Sequence, residues 1–192
     1  MNEVKIANPG PLGLSGFALT TLILSLVNAG IISGGNVAIV LGLALFYGGL
    51  AQLLAGMWEF RSGNTFGATA FSSYGAFWLS FAALFVPGLG NGSIKFDDTG
   101  LGWYLLGWAI VTGLLTIASL RTNGATALVF ILLFVTFLLL ALGALNGAGA
   151  GKGLTQIGGY IGIVTAIAAW YAALAGVLSS VKISLPVVPL AR

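Results

Sequence analysis

Long apolar runs alternate with short polar breaks along this chain, and six of the runs reach the roughly 20 residues that a helix needs to cross a bilayer. They fall at Pro11–Gly30, Asn36–Trp58, Phe66–Val86, Leu101–Leu120, Ala125–Leu145 and Leu154–Val181. The charged residues sit between them. Glu59 and Arg61 follow the second run, Lys95, Asp97 and Asp98 lie in the third connection, and Arg121 and Lys152 occupy the next two. This pattern predicts an all-α membrane protein, a single domain over residues 1–192 with six transmembrane helices in a bundle. Even the longest connection, Pro87–Gly100, is too small to be catalytic alone. One stretch jars: Asn8-Pro9-Gly10-Pro11 is poor helix material set directly against the first run.

Composition agrees with the pattern. Hydrophobic residues make up 58% of the chain and charged ones 6%, against about 25% charged in an ordinary soluble domain. Mean hydropathy is +1.07. Met1 to Asn8 is polar and no small-residue cleavage motif follows, so the first helix is expected to stay uncleaved. Basic residues set orientation: Lys5, Arg61, Arg121, Lys182 and Arg192 lie on one face, and only Lys95 and Lys152 on the other. Five against two predicts a multi-pass protein of the cytoplasmic membrane with both termini in the cytoplasm.

Absent residues narrow the chemistry. The chain has no cysteine and no histidine, and no ionisable side chain falls in the middle of a run. An intramembrane protease needs serine with histidine or lysine, paired aspartates, or a metal site, and none can be assembled. No catalytic residue, metal, cofactor or nucleic-acid partner is therefore expected. Asn146 to Gly153, NGAGAGKG, mimics a phosphate-cradling loop but lacks its first glycine and its final hydroxyl residue. It reads as a flexible external turn.

The polar residues left inside the runs are neutral and follow the helical period. Gly13, Phe17, Thr20, Leu24 and Asn28 share one face of the first helix, and Gly49, Gln52, Gly56 and Glu59 one face of the second. The third offers Thr69, Ser72, Ser73 and Ser80 beside an aromatic stripe of Tyr74, Trp78, Phe81 and Phe85. The amide of Gln52 must find partners in the bundle or in water, as interhelical glue or as pore lining. Glycines at 42, 49 and 56, and the Gly158–Gly162 pair, are expected to let helix backbones approach closely. Together, the three faces point to a narrow pathway for a small polar solute, with Asn8, Thr20, Gln52, Ser72, Ser73 and Trp78 as candidate contacts.

Asn8-Pro9-Gly10-Pro11-Leu12-Gly13-Leu14 resembles the N-P-[AS]-P-[LT]-G-L signature of the acetate uptake transporters, the succinate–acetate permease (GPR1/FUN34/YaaH) family. FYGGLAQLLAGMWEFRSGNTFGATAFSSYGAFWL, Phe46 to Leu79, is similar to the same family, and the likeness runs from about residue 5 to 180. Gly10 departs from the family's alanine or serine. The resemblance implies a homo-oligomer, usually a hexamer, with a separate pore through each six-helix subunit. It also implies uptake of acetate and, in some members, succinate, and a fold like that of the acid-activated urea channels. The family's hydrophobic constriction carries over to Phe17, Tyr74 and Leu133, the last within the repetitive run VFILLFVTFLLL.

The jarring motif then acquires a purpose. Pro11 suits a first helical turn, where its missing N–H costs no bond, and free N–H groups beside it are expected to face a carboxylate in a cytoplasmic vestibule. A simple carboxylic acid with a pKa of about 4.8 is more than about 99% ionised at neutral pH. Stripping that anion of water in an aromatic–leucine collar is costly, so the coupled proton is expected to travel on the substrate, with Glu59 as the runner-up proton site. No span contains an internal proline, which favours a channel-like pathway with limited gating over alternating access. The rival readings are a passive channel for neutral solutes such as urea and other amides, and a non-transporting membrane sensor.

Overall fold

A computed structural model describes residues 6–85 and 96–190. Six helical spans are each long and apolar enough to cross a membrane, and the chain is a multi-pass, all-helical membrane protein. The first is α1 (Gly10–Asn28). The second, Gly34–Arg61, joins a short 3-10 turn to α2 (Val37–Leu45), a π-helical segment (Phe46–Ala51) and α3 (Gln52–Arg61). The remaining four are α4 (Thr65–Phe85), α5 (Asp98–Ser119), α6 (Gly124–Leu145) and α7 (Gly153–Ser180). Lys5, Val86, Lys95 and Arg192, with residues 87–95 of the third connection, lie outside the described residues.

Two ends differ from expectation for one reason. Helix termini welcome charge, and the sequence reading had excluded it. Arg61 occupies the last turn of α3, and Asp98 the first turn of α5, each with the sign that favours the local dipole. Caps fix the other starts. Asp97 accepts from Gly100 N at 2.7 Å, and Asn123 from Thr126 N at 2.9 Å. Asn64 accepts from Gly67 N at 3.1 Å ahead of α4. At α6 the chain beyond α7 helps: Gly124 N and Ala125 N donate to the carbonyls of Val188 and Val187, at 2.7 and 3.3 Å. Tyr171 holds that segment by donating its hydroxyl to Pro186 O at 2.7 Å.

Packing arranges the spans as a ring. α7 lies between α1 and α6, α6 also packs on α5, and the second span lies between α1 and α4. α4 closes on α5 mainly through side chains, because their backbones touch little. Phe77 of α4 stands 5.1 Å, centroid to centroid, from Trp108 of α5, and Ser80 and Tyr104 share a hydrogen bond of 2.7 Å. Threonine hydroxyls within the spans satisfy themselves on the preceding turn, as Thr112 does on Trp108 O (2.7 Å) and Thr136 on Leu132 O (2.8 Å).

Close approach between α1 and α7 depends on Gly159, where a Cβ would lie 2.7 Å from Ala29 Cα. Gly158 faces Leu140 on α6 and Gly162 faces Ser25 on α1, so the GxxxG pair serves two neighbours. Of the seven-residue repeat, Gly49 and Gly56 pack tightly against α4, but Gly42 is exposed and, among the described residues, no atom comes within reach of a Cβ there. Alanine at Gly159 is expected to lower stability by about 1–3 kcal/mol, because the clash is with backbone that has no room to move. Alanine at Gly113 meets only the rim of the Phe134 ring at 3.3 Å and should change stability by less than about 1 kcal/mol. Thermal unfolding of the two variants in detergent checks the contrast.

Candidate functional site

Two chambers open toward opposite ends of the helix ring. The terminal chamber, of about 540 Å³, lies where α1 begins, α3 ends and α4 begins, and Asn8, Glu59, Asn64 and Thr126 are among its lining residues. The distal chamber, of about 350 Å³, lies near the end of α1 and the start of α5, and is lined by Thr21, Trp78, Phe81 and Phe137, among others. Phe17, Phe77 and Leu133 line the distal chamber, and Leu14, Ala70 and Phe130 the terminal one. Tyr74 lines neither. Its ring stands 5.9 Å from that of Phe17 and 6.0 Å from that of Phe130, and so fills the layer between the chambers.

That layer is a tight, neutral collar. Phe17, Tyr74 and Leu133 are 4%, 3% and 3% exposed. The Tyr74 hydroxyl donates to Thr112 Oγ1 at 3.0 Å, which pins the ring to α5. Of the sequence candidates Phe17, Tyr74 and Leu133, the first two meet ring to ring and Leu133 lines the distal chamber with Phe17; Phe77, Phe130 and the Thr112 anchor were not among the candidates. Phe130, Leu133 and Phe137 are spaced three and four apart, which marks one face of α6, but a run with apolar residues all round hides which face is inward.

Glu59 is the one carboxylate buried among the described residues, at 3% exposure. Asn64 Nδ2 donates to it at 2.8 Å and Ser62 Oγ at 3.3 Å. Asn64 thereby does two things at once, capping α4 with its oxygen and holding Glu59 with its nitrogen. The sequence carried a signal for this, since Asn before a helix start is a preferred cap.

Three expectations need correction. The start of α1 offers no free amide: Gly10 N donates to Asn8 Oδ1 at 2.9 Å, and Leu12 N and Gly13 N both donate to Pro9 O. Pro11 does stand in the first turn, but the motif closes on itself, so its donors do not await a carboxylate. Thr20, a candidate solute contact, donates to Gly16 O at 2.8 Å and packs against Gly48 of the π segment, lining neither chamber. The loop Asn146–Gly153 is fixed in place, not a free turn: Gly151 N donates to Asn28 O at 2.8 Å and Gln156 Nε2 to Ala29 O at 3.3 Å. Gly30 and Gly151, with φ of +73° and +74°, meet backbone to backbone where any Cβ would collide.

The other candidates separate. Trp78 lines the distal chamber and Asn8 the terminal one. Gln52 and Ser72 are held between spans and line neither chamber; Gln52 Oε1 and Ser72 Oγ have no protein hydrogen-bond partner, and Ser72 lies against Gly56. Ser73 is half-buried and lines neither chamber. Among the described residues, no three histidine, cysteine, aspartate or glutamate side chains gather to hold a metal ion.

Comparison with known proteins adds the following. A family profile described as "GPR1/FUN34/yaaH family" matches residues 1–192. The "Succinate-acetate/proton symporter SatP" of Escherichia coli K12 is 41% identical over 180 residues, covering 93% of each chain. "Ammonia transport outward protein 2" of Saccharomyces cerevisiae is 47% identical over 178 residues, covering 90% of this chain and 62% of the yeast protein. Across five fungal relatives this chain spans only 62–64% of their length. A solved structure titled "Structure of the bacterial acetate channel SatP" superposes with a TM-score of 0.88 at 38% identity, covering 95% of this chain and 99% of that one.

Replacing Asn64 with alanine removes a helix cap and leaves the buried Glu59 carboxylate without its shorter hydrogen bond. A loss of about 2–4 kcal/mol is expected, read as a fall in the thermal midpoint, with Asn64→Asp restoring the cap but not the donor.

Proposed function

The chain belongs to the GPR1/FUN34/yaaH family, and on that footing we propose that it carries small carboxylic acids, acetate first and succinate second, through the interior of each subunit. Among the observations that support this, the weightiest is the meeting of two solute-sized chambers at the single neutral layer of Phe17, Tyr74 and Leu133. Each subunit would hold its own pathway, and subunits would assemble with copies of themselves, in the family's hexameric manner. The terminal chamber would face the cytoplasm, in keeping with Arg61, Arg121 and Lys182 near that end.

The reaction is a passage with no bond made except to a proton. An acetate ion in the terminal chamber meets side-chain amides and hydroxyls, which replace part of its hydration. At the collar it meets aromatic and leucyl surface, and leaving the remaining water as an anion costs several kcal/mol. Taking up a proton there removes that cost, so the acid crosses neutral and the proton crosses with it. Glu59 lies beside the route and is held by Asn64 and Ser62; its role on this reading is to shape the chamber.

A second reading has its own support: a collar without charge also suits a molecule that is already neutral, and one yeast relative is named for ammonia transport. Proteoliposomes separate the two. Labelled acetate should accumulate when the outside is acidic and collapse when a protonophore is added; flux of urea or ammonia with no acetate flux would replace the acid reading.

Two variants probe the mechanism. Glu59→Gln is expected to keep pH-driven acetate uptake within about threefold, and its loss in a well-folded protein would move the proton onto Glu59. Phe17→Ala opens the collar and should let longer monocarboxylic acids through, raising their flux relative to acetate by about tenfold or more. An unchanged substrate range would put the barrier elsewhere.

A further inference from the structure

Beyond α7 the chain turns back as an irregular strap, from Val181 at the end of α7 to Leu190 beside the start of α6. Ser184, Leu185 and Val187 of this strap line the terminal chamber. Leu185 and Val187 are half-buried, whereas Ser184, Pro186 and Val188 around them are exposed. That alternation belongs to an extended segment laid with one edge on the chamber. Its fastenings are few and polar. Besides the bonds from Gly124 N, Ala125 N and the Tyr171 hydroxyl, Leu190 N donates to Thr122 O at 3.2 Å, and Asn123 and Pro189 form an isolated antiparallel bridge. At an exposed edge, bonds of this kind exchange for bonds to water at small net cost.

Both ends of the strap carry a residue in the left-handed region. Lys182, at φ +65°, ends α7 in a turn where Ile183 N donates to Leu178 O at 2.9 Å. Val188, at φ +48°, is the more strained, because a β-branched side chain clashes with its own backbone there. Such a conformation persists only while its surroundings hold it. Here the holders are the bond from Gly124 N to the carbonyl of Val188 itself and the bond from Leu190 N two residues on. Detachment from α6 lets Val188 relax to extended backbone, so the strain offsets part of what the fastenings contribute. Attached and detached states thus lie closer in free energy than the bonds alone would put them. We propose that residues 181–190 form a hinged lid on the terminal chamber. Fastened to the start of α6 it narrows the mouth; pivoting at Lys182 it swings clear and admits solute. The collar takes no part in this motion, so the lid governs access and leaves selectivity alone. The proposal rests on reading the chamber as one end of an acid pathway.

The chain has no native cysteine, so an engineered pair can lock the strap without side reactions. A Cβ at position 124 would stand 3.4 Å from Val188 Cβ, close to the separation a disulfide bridges. Gly124→Cys combined with Val188→Cys should therefore cross-link under a mild oxidant. Acetate flux into proteoliposomes should then fall by about tenfold or more and return on reduction, the reduced protein serving as its own folded control. Failure of the pair to cross-link, or undiminished flux in the fully cross-linked protein, would overturn the lid. A second arm needs no flux. Ala70 lies on the wall of the terminal chamber and is buried, and the collar bars approach from the distal side. In nanodiscs, Ala70→Cys should react slowly with a bulky water-soluble maleimide. Adding Tyr171→Phe, which removes the bond to Pro186 O, should speed that reaction by roughly three- to tenfold. An unchanged rate would count against the lid. If labelling accelerates while acetate does not move in the parent protein, the lid stands and the transport reading fails instead.

Discussion

A charge that enters the layer between Phe17, Tyr74 and Leu133 finds no countercharge, and the nearest hydroxyl is committed to Thr112. Desolvation of an ion is the dominant energy at that depth, and the rest of the molecule is arranged around it. Charged side chains within the spans are confined to their terminal turns, as Glu59, Arg61 and Asp98 are, and most threonine hydroxyls are spent on their own helix's carbonyls. On the proposed pathway, such a layer would discriminate by charge state before it discriminates by size. Amides and a carboxylate gather at one mouth, aromatic surface at the other, so the approaches to the barrier differ even though the barrier itself is featureless to either side.

The collar also holds the ring together. α4 and α5 make little backbone contact, and their seam depends on Tyr74 with Thr112, Phe77 with Trp108, and Ser80 with Tyr104. The Phe77–Trp108 pair contributes about 0.5–1.5 kcal/mol beyond the area it buries. The opposite side, where α1, α6 and α7 meet, is joined by glycines and is consequently close and stiff. One wall of the pathway is backbone-tight while the other is made of interlocking rings.

Much of this was legible in the sequence. Apolar length located six spans, helical period grouped Phe17 with the small and polar positions of α1 and Tyr74 with the aromatic stripe of α4, and the family resemblance alone pointed to Leu133. What escaped depends on contacts between segments far apart in the chain. Nothing in NGAGAGKG announces that Gly151 will meet Gly30, because each glycine needs the other's missing side chain. Phe130 is indistinguishable in its run from Phe134 until α4 supplies a ring for it to touch. The start of α1 departs from the general rule of free amides at a helix start, because Asn8 Oδ1 takes Gly10 N and Pro9 O takes Leu12 N and Gly13 N. These partners lie within four residues of their donors, so the turn is encoded locally.

The π-helical segment at Phe46–Ala51 has a consequence for length variation. A wide turn is one residue of surplus backbone threaded into an otherwise α-helical rod. Excising one residue there would let the segment close into ordinary α-helix with the faces on either side kept, whereas the same deletion in a span without such a turn would swivel one flank by about 100° against the other. Val40 and Ala44 would stay buried and Ile39 exposed. The surplus residue thus gives this span a place where a single-codon deletion can be absorbed without re-aiming either half.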